Sequence, residues 1–384
     1  MSKEVKKYRI IIAIVCISFL QGLQFCVSPV LGQIADYYDT VSINYVQMLV
    51  TIPSFISMVI ALASGKLVLV ISKKKLLLIS SLIAFASGFA PLFVNSFAVL
   101  FISRAIYGIA MGVATTLNTA VVAEFFEGDE RVSVMGIQGA SVGAGMVLVT
   151  TVAGWIGKND FRNAYYLNII GILAFVLLFV FLPETGVVKS EGKEDVHMNK
   201  DVFILSFFCM MEFFFLITFN TNIAMHLSGN LAGDTSASGL LTGVFSGVQI
   251  VAGLVLGYIT KITKKMTMSC AMLSLAVGTL LIAIAPSNMI LLIIGAFFCG
   301  ISQGVFIPTG MVAVSNAVAP AAAAMAAAWF TCGNCIGQTL SPIVLNKLSE
   351  ALFGQVTTGH IFLISAIGIT LISLLAGIYN GRKR

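Results

Sequence analysis

Residues 101 to 120 read FISRAIYGIAMGVATTLNTA, an apolar run broken near its start by Arg104 and punctuated by Gly108 and Gly112. A guanidinium at the centre of a bilayer costs about 2.5 to 3.5 kcal/mol on insertion scales, so an arginine kept there has to be satisfied by the surrounding fold. The glycines set the architecture. G-I-A-M-G spans Gly108 to Gly112, and G-I-S-Q-G spans Gly300 to Gly304, 192 residues later in a chain of 384. The same interval separates Gly65, which precedes SKKK, from Gly257, which precedes KITKK. Helix breakers and close-approach glycines recurring at half the chain length point to a duplicated unit.

Working outward, hydrophobic residues make up 58% of the chain and charged residues 10%, and the mean hydropathy is +1.01. Soluble domains carry about a quarter charged residues. Apolar runs of about 20 residues, the length that crosses the hydrocarbon, recur along the sequence, and twelve can be counted. The expected fold is an all-α membrane protein of twelve transmembrane helices in two pseudo-symmetric six-helix bundles. The bundles are residues 1–182 and 202–384, joined by the polar stretch 183–201 as a cytoplasmic linker, with His197 solvated within it. Glycines of the fifth and eleventh crossings, Gly139-x-x-x-Gly143 and Gly333-x-x-x-Gly337, fit the same scheme at an offset of 194 if a small insertion intervened.

Cytoplasmic loops hold the lysine and arginine excess. Eighteen of the 22 basic residues fall on the side of the termini, three on the other and one, Arg104, within the membrane. Both termini are therefore expected in the cytoplasm, with the protein multi-pass in the cell membrane. The net charge of +6 follows from this topology and gives no sign of nucleic-acid binding. The seven cysteines lie inside expected helices, so Cys332-Gly-Asn-Cys335 reads as helix packing rather than a metal or redox site. No HExxH, P-loop or catalytic triad is present, which argues against an enzyme.

At these residues the sequence resembles the major facilitator superfamily, in its bacterial, twelve-helix, efflux-permease-like form. The family's loop signature G-x-L-A-D-R-x-G-R-K is matched at Gly65, Leu67, Lys73 and Lys74, with Leu69 at the acidic position and Ser72 at the second glycine. R-x-x-x-G-x-x-x-G is matched at Arg104, Gly108 and Gly112, and Pro183-Glu184-Thr185 also resembles the family. The antiporter pattern of the fifth crossing is half present, at Gly139 and Gly143, with Ala144 in place of its proline. The resemblance implies a secondary active transporter that moves a small organic solute (drug-like, sugar or metabolite) by alternating access, as proton-coupled export, with crossings 1, 4, 7 and 10 lining the path. It implies no cofactor beyond a proton gradient, partners limited to the solute and the lipid bilayer, and a monomer. A non-transporting sensor or scaffold with the same fold is the alternative.

Polar residues at helical spacing give the candidate binding groups. In the first crossing they are Gln21, Gln24 and Ser28, and in the fourth Arg104, Tyr107, Met111, Thr115 and Asn118. The eighth offers Thr242, Ser246 and Gln249, the tenth Gln303, and the eleventh Asn334, Gln338 and Ser341. Arg104 either faces a hydrated cavity or braces packing through neighbouring carbonyls. Glu212 is the only acid well inside the membrane, and a carboxyl whose surroundings alternate between wet and dry can take up and release a proton. Gly65, Lys73, Lys74, Gly257 and Lys265 form the expected cytoplasmic gating motif, and no metal site is expected. Asn220-Thr221-Asn222 suggests either a loosened outer end of the seventh crossing or ordinary capping. Glu124 is expected to pair with Arg131, and His226 and His360 to lie on the surface.

Overall fold

A computed structural model describes residues 3–68, 70–184, 199–318 and 322–382, so Leu69 and most of the expected linker, including Thr185 and His197, lie outside the described residues. Every element among the described residues is helical. The first crossing is composite: α1 (Lys3–Gly22) passes into a 3-10 segment (Leu23–Val30) and resumes as α2 (Leu31–Tyr37). Pro29 supplies a physical reason, because it donates no N–H and its ring blocks the carbonyl four residues before it. Then come α3 (Ile43–Leu67), α4 (Lys73–Phe93), α5 (Phe97–Phe125) and α6 (Gly128–Ile156). The sixth crossing opens as a 3-10 segment (Phe161–Asn168), capped by the Asp160 carboxylate, which accepts from the Arg162 amide at 2.8 Å. It continues as α7 (Ile169–Phe181).

The second half contains α8 (Lys200–His226), α9 (Thr235–Leu254), α10 (Leu256–Thr263), α11 (Thr267–Ile284), α12 (Met289–Asn316), α13 (Ala323–Phe353) and α14 (Thr358–Arg382). Eleven stretches of the described residues are long and apolar enough to cross a membrane. The expected crossing outside those eleven is the eleventh in order, α13, 31 residues long and made more polar by Asn334, Gln338, Asn346 and Lys347.

The chain divides into two compact units, one of residues 1–30 and 49–192, the other of residues 31–48 and 193–384. By contact, residues 31–48 group with the second unit rather than with the first, where their sequence position would put them.

Within each unit the glycines show the repeat directly. A methyl group on Gly108 would lie 2.8 Å from the Pro53 carbonyl oxygen, and one on Gly112 would lie 2.7 Å from that of Ser57, so α5 seats its backbone on α3. In the second unit Gly300 faces the Phe245 carbonyl and Gly304 that of Gln249, seating α12 on α9. Both members of both contacts are displaced by 192 residues. The fifth and eleventh crossings need a correction. Nothing lies within 4 Å of a methyl group placed on Gly139, whereas one on Gly145 would lie 3.1 Å from the Phe19 Cα. Gly337 makes the equivalent approach to Met210 and Phe214 of α8. Gly145 and Gly337 are again 192 apart, so the offset of 194 came from pairing the wrong glycine and no insertion is needed.

The two loop glycines also sit differently from expectation. Neither is the last residue of its helix: α3 runs to Leu67, past Gly65, whereas α9 already ends at Leu254, and Gly257 is the second residue of the short α10 that follows. Gly257 is exposed with open space around it, near the start of α10, where a glycine costs helix stability. The chain turns instead at Lys264, with φ of 50° and ψ of −123°. That conformation suits the first central residue of a type II′ turn and favours glycine, at a cost of about 1 to 3 kcal/mol for an L-residue. Lys264→Gly is therefore expected to raise the melting temperature of the purified protein by about 2 to 4 °C. An unchanged or lower value in a thermal scan would show that the turn is unstrained.

Candidate functional site

In the first unit the polar stripe of α5 is sewn onto the first crossing. Arg104 is 2% exposed. Its Nε donates to the Leu49 carbonyl at 3.0 Å, and Nη1 donates to the Leu23 carbonyl at 3.4 Å and to Cys26 Sγ at 3.7 Å. Nη2 donates to the Gln24 carbonyl, and the guanidinium lies 4.9 Å from the Tyr107 ring centroid. Leu23, Gln24 and Cys26 belong to the 3-10 segment, where helix hydrogen bonds are poorer and carbonyls have more to gain from an outside donor. One turn on, the Tyr107 hydroxyl donates to the Leu20 carbonyl at 2.5 Å, and Asn118 Nδ2 donates to Ser18 Oγ at 2.9 Å. Of the two readings open in the sequence, the geometry is that of a brace.

Gln24 is also taken up inside this unit: its Nε2 donates to the Val50 carbonyl at 3.1 Å and to Ser54 Oγ at 2.6 Å. Gln21 differs, because its buried Nε2 has no hydrogen-bond partner among the described residues, and the same is true of Asn118 Oδ1.

In the second unit Glu212 is fully buried on α8. Ser302 of α12 donates its hydroxyl to Oε1, and Oε2 has no partner among the described residues. The Oε1 atoms of Gln303, on α12, and Gln249, on α9, are likewise buried without partners, as is Ser341 Oγ on α13. Gln338 Nε2 donates to Asn334 Oδ1 along α13. Thr242 and Ser246 donate back to the Ser238 and Thr242 carbonyls at 3.0 Å each and are spent within their own helix. An unpaired buried polar atom costs about 1 to 3 kcal/mol, so Glu212, Gln249 and Gln303 are each chemically unfinished, with a side-chain oxygen able to receive a donor.

The loop motif of the first unit works through different partners from those expected. Lys73 pairs with Glu124 at 2.6 Å, so Glu124 serves α4 rather than Arg131; α4 and α5 pack side by side, while Arg131 is exposed on α6. Ser72 donates to Glu184 Oε1 at 2.8 Å, and Lys74 donates to the Phe179 carbonyl at 3.1 Å, tying the loop to the end of the sixth crossing. Lys265 lies in the exposed turn after α10.

His226 is a second correction. It is 5% exposed, with Nδ1 2.9 Å from Thr358 Oγ1 and Nε2 2.8 Å from the Ile282 carbonyl, and its ring meets Phe362 edge-on. The ends of α8, α11 and α14 enclose it, which its place near a helix end did not disclose. His360 is half-buried, stacked on Phe353. Asn220-Thr221-Asn222 does not loosen its helix, because α8 is unbroken to His226 and Thr221 and Asn222 bond back to it. Cys332 and Cys335 lie within α13 and form no disulfide, and no group of metal-binding side chains occurs among the described residues.

The sequence reading missed a chain of amides in the second unit. Asn346 Nδ2 donates to Asn44 Oδ1 at 2.5 Å and to Gln47 Oε1 at 2.6 Å, and Gln47 Nε2 donates to Asn222 Oδ1 at 2.7 Å. Its members come from α3, α8 and α13, so no local spacing could have grouped them. Their common signal was an amide near the end of an apolar helix.

Two units built from the same helix contacts, each with polar groups buried within it, are the duplicated helical architecture of a membrane transporter family. The chain belongs to the Major Facilitator Superfamily, whose family model matches residues 10–221 and again residues 202–383. Over 154 residues it is 25% identical to the quinolone resistance protein NorA of Staphylococcus aureus, a match spanning 38% of this chain and 40% of that protein's length. Among solved structures, it resembles the nucleoside transporter NupG with a TM-score of 0.74 and 16% identity, over 98% of this chain and all of that one. A POT family transporter in complex with a thioalcohol-conjugated peptide gives 0.79 and 12% identity over 97% and 96% of the two chains. A bacterial homologue of the human lysosomal transporter Spinster gives 0.73 and 13% identity over 99% and 96%. At these identities the likeness establishes the fold.

Proposed function

We propose that this protein is a proton-coupled exporter of small, amphipathic, drug-like organic solutes, multi-pass in the cell membrane with both termini in the cytoplasm. The observation that carries the reading is Glu212, a fully buried carboxyl with one oxygen bonded to Ser302 and the other unpartnered among the described residues. An intramembrane acid of this kind is a functional group by default. Gln249 and Gln303 supply hydrogen-bonding oxygens without adding charge, which suits a weakly polar solute better than a phosphate ester. The partial likeness to a quinolone resistance protein makes a quinolone the first solute to try. The lysine and arginine bias supports the orientation. In alternating access, each bundle would carry its polar face between states as a near-rigid body.

The test is flux in proteoliposomes under an imposed pH gradient, with a quinolone, a nucleoside and a dipeptide in separate runs. The reading expects accumulation of the quinolone above that in protein-free vesicles, abolished when the gradient is dissipated. Binding without flux of any of the three would favour a non-transporting sensor.

A further inference from the structure

A cavity of about 440 Å³ lies in the second unit, where residues 31–48 meet the ends of α8 and α14. Its volume falls within the roughly 300 to 1,000 Å³ typical of small-molecule sites. Asp36, Gln47, Asn222 and Thr358 form its polar wall, and residues such as Ile43 and Ile361 form its apolar one. Its lining contains one carboxylate and no lysine, arginine or histidine. Asp36 is exposed at the cavity mouth, and its side chain makes no hydrogen bond or ion pair among the described residues. Gln47 and Asn222 are held with their amide dipoles in series, because Asn346 donates to Gln47 and Gln47 to Asn222. Asn346 itself is 3% exposed, and its Oδ1 has no partner among the described residues.

The chemistry selects a ligand class. A wall that offers a carboxylate, with no cation of its own, favours a positively charged hydrogen-bond donor. A bare metal ion needs about six converging oxygens, whereas here the amides are engaged with one another and half the wall is hydrocarbon. We infer that this cavity, lined by Asp36, Gln47 and Asn222, with Gln47 held from behind by Asn346, binds small organic ammonium ions through the charge of Asp36 and the apolar wall. The site uses neither Arg104 nor Glu212, and so stands apart from the coupling group proposed above.

Isothermal titration of the full-length protein in nanodiscs tests this, with benzylammonium as the probe, benzyl alcohol as its neutral counterpart and empty nanodiscs as the blank. Benzylammonium is expected to bind saturably, with benzyl alcohol and the Asp36→Asn protein each about tenfold weaker, as loss of one contact charge near the surface implies. Asp39→Asn removes a second exposed charge, one outside the cavity lining, and is expected to change affinity less than Asp36→Asn does. Ala232→Phe, which fills the cavity from its rim, is expected to abolish binding without altering charge. Equal binding of the alcohol, no saturable binding, or affinity indifferent to Asp36→Asn and Ala232→Phe overturns the inference. Loss of binding in Glu212→Gln also overturns it, by placing the amine at the buried carboxyl, whereas failure of transport with amine binding intact counts only against the proposed function.

Discussion

Replacing Arg104 by lysine is expected to lower the melting temperature of the purified protein by about 5 to 10 °C, the effect of losing several kcal/mol. The guanidinium reaches three carbonyls and a thiol at once, on both the first and second crossings. An ammonium on a thinner stem cannot span that fork. The carbonyls of Leu23, Gln24 and Leu49 would then lose charged donors inside an apolar bundle, and a break of this kind costs about 3 to 5 kcal/mol. The 3-10 segment adds to the effect. At eight residues it is longer than such segments usually run, and Arg104 holds the oxygens that an α-helical register would have satisfied. Thermal unfolding followed by size-exclusion chromatography checks this. A lysine variant with unchanged stability and impaired flux would make Arg104 a solute-binding residue instead of a brace.

Adding one methyl group at matched glycines is expected to harm both units alike and to spare an unmatched site. Gly112→Ala places its Cβ 2.7 Å from the Ser57 carbonyl, and Gly304→Ala makes the corresponding approach to Gln249. Both obstacles are backbone, so the helices themselves must move apart, and overpacking of that kind costs about 1 to 3 kcal/mol. Close backbone approach is also what holds helices together in lipid, where the hydrophobic effect does not. Gly257→Ala meets only open space and is expected to gain up to about 1 kcal/mol of helix stability. Melting temperatures of the three variants decide the matter. A fall at Gly112 and Gly304 with none at Gly257 is the expected pattern, whereas equal shifts at all three would deny the packing role.

The repeat was legible in the sequence because glycine marks backbone contact. Gly108, Gly112, Gly300 and Gly304 announce a distance of approach that no other residue allows, and their spacing carried the offset of 192 intact. Gly139 misled because a glycine pair four apart looks the same whether it faces a neighbouring helix or open space. The polar stripes misled for a related reason. Periodicity shows that Arg104, Tyr107 and Asn118 share a face of α5, yet a face turned to water and one turned to another helix have the same period. Their partners, Leu20, Leu23 and Ser18, lie 80 or more residues away. Distance in sequence likewise hid the pairing of Lys73 with Glu124, the enclosure of His226 and the amide chain ending at Asn346. Glu212 was found because its signal needs no partner: a carboxyl in the middle of a long apolar helix is anomalous by itself.

That carboxyl carries the functional account, and substitution by its neutral isostere tests it directly. Glu212→Gln keeps the shape of the side chain and a carbonyl oxygen for the Ser302 hydroxyl while removing the proton that can be exchanged. With a quinolone or another transported solute in proteoliposomes, the variant is expected to retain downhill exchange and to lose pH-driven accumulation, together with the proton movement that a trapped pH dye reports in the wild type. Equal pH-driven accumulation by the variant and the wild type would contradict the account.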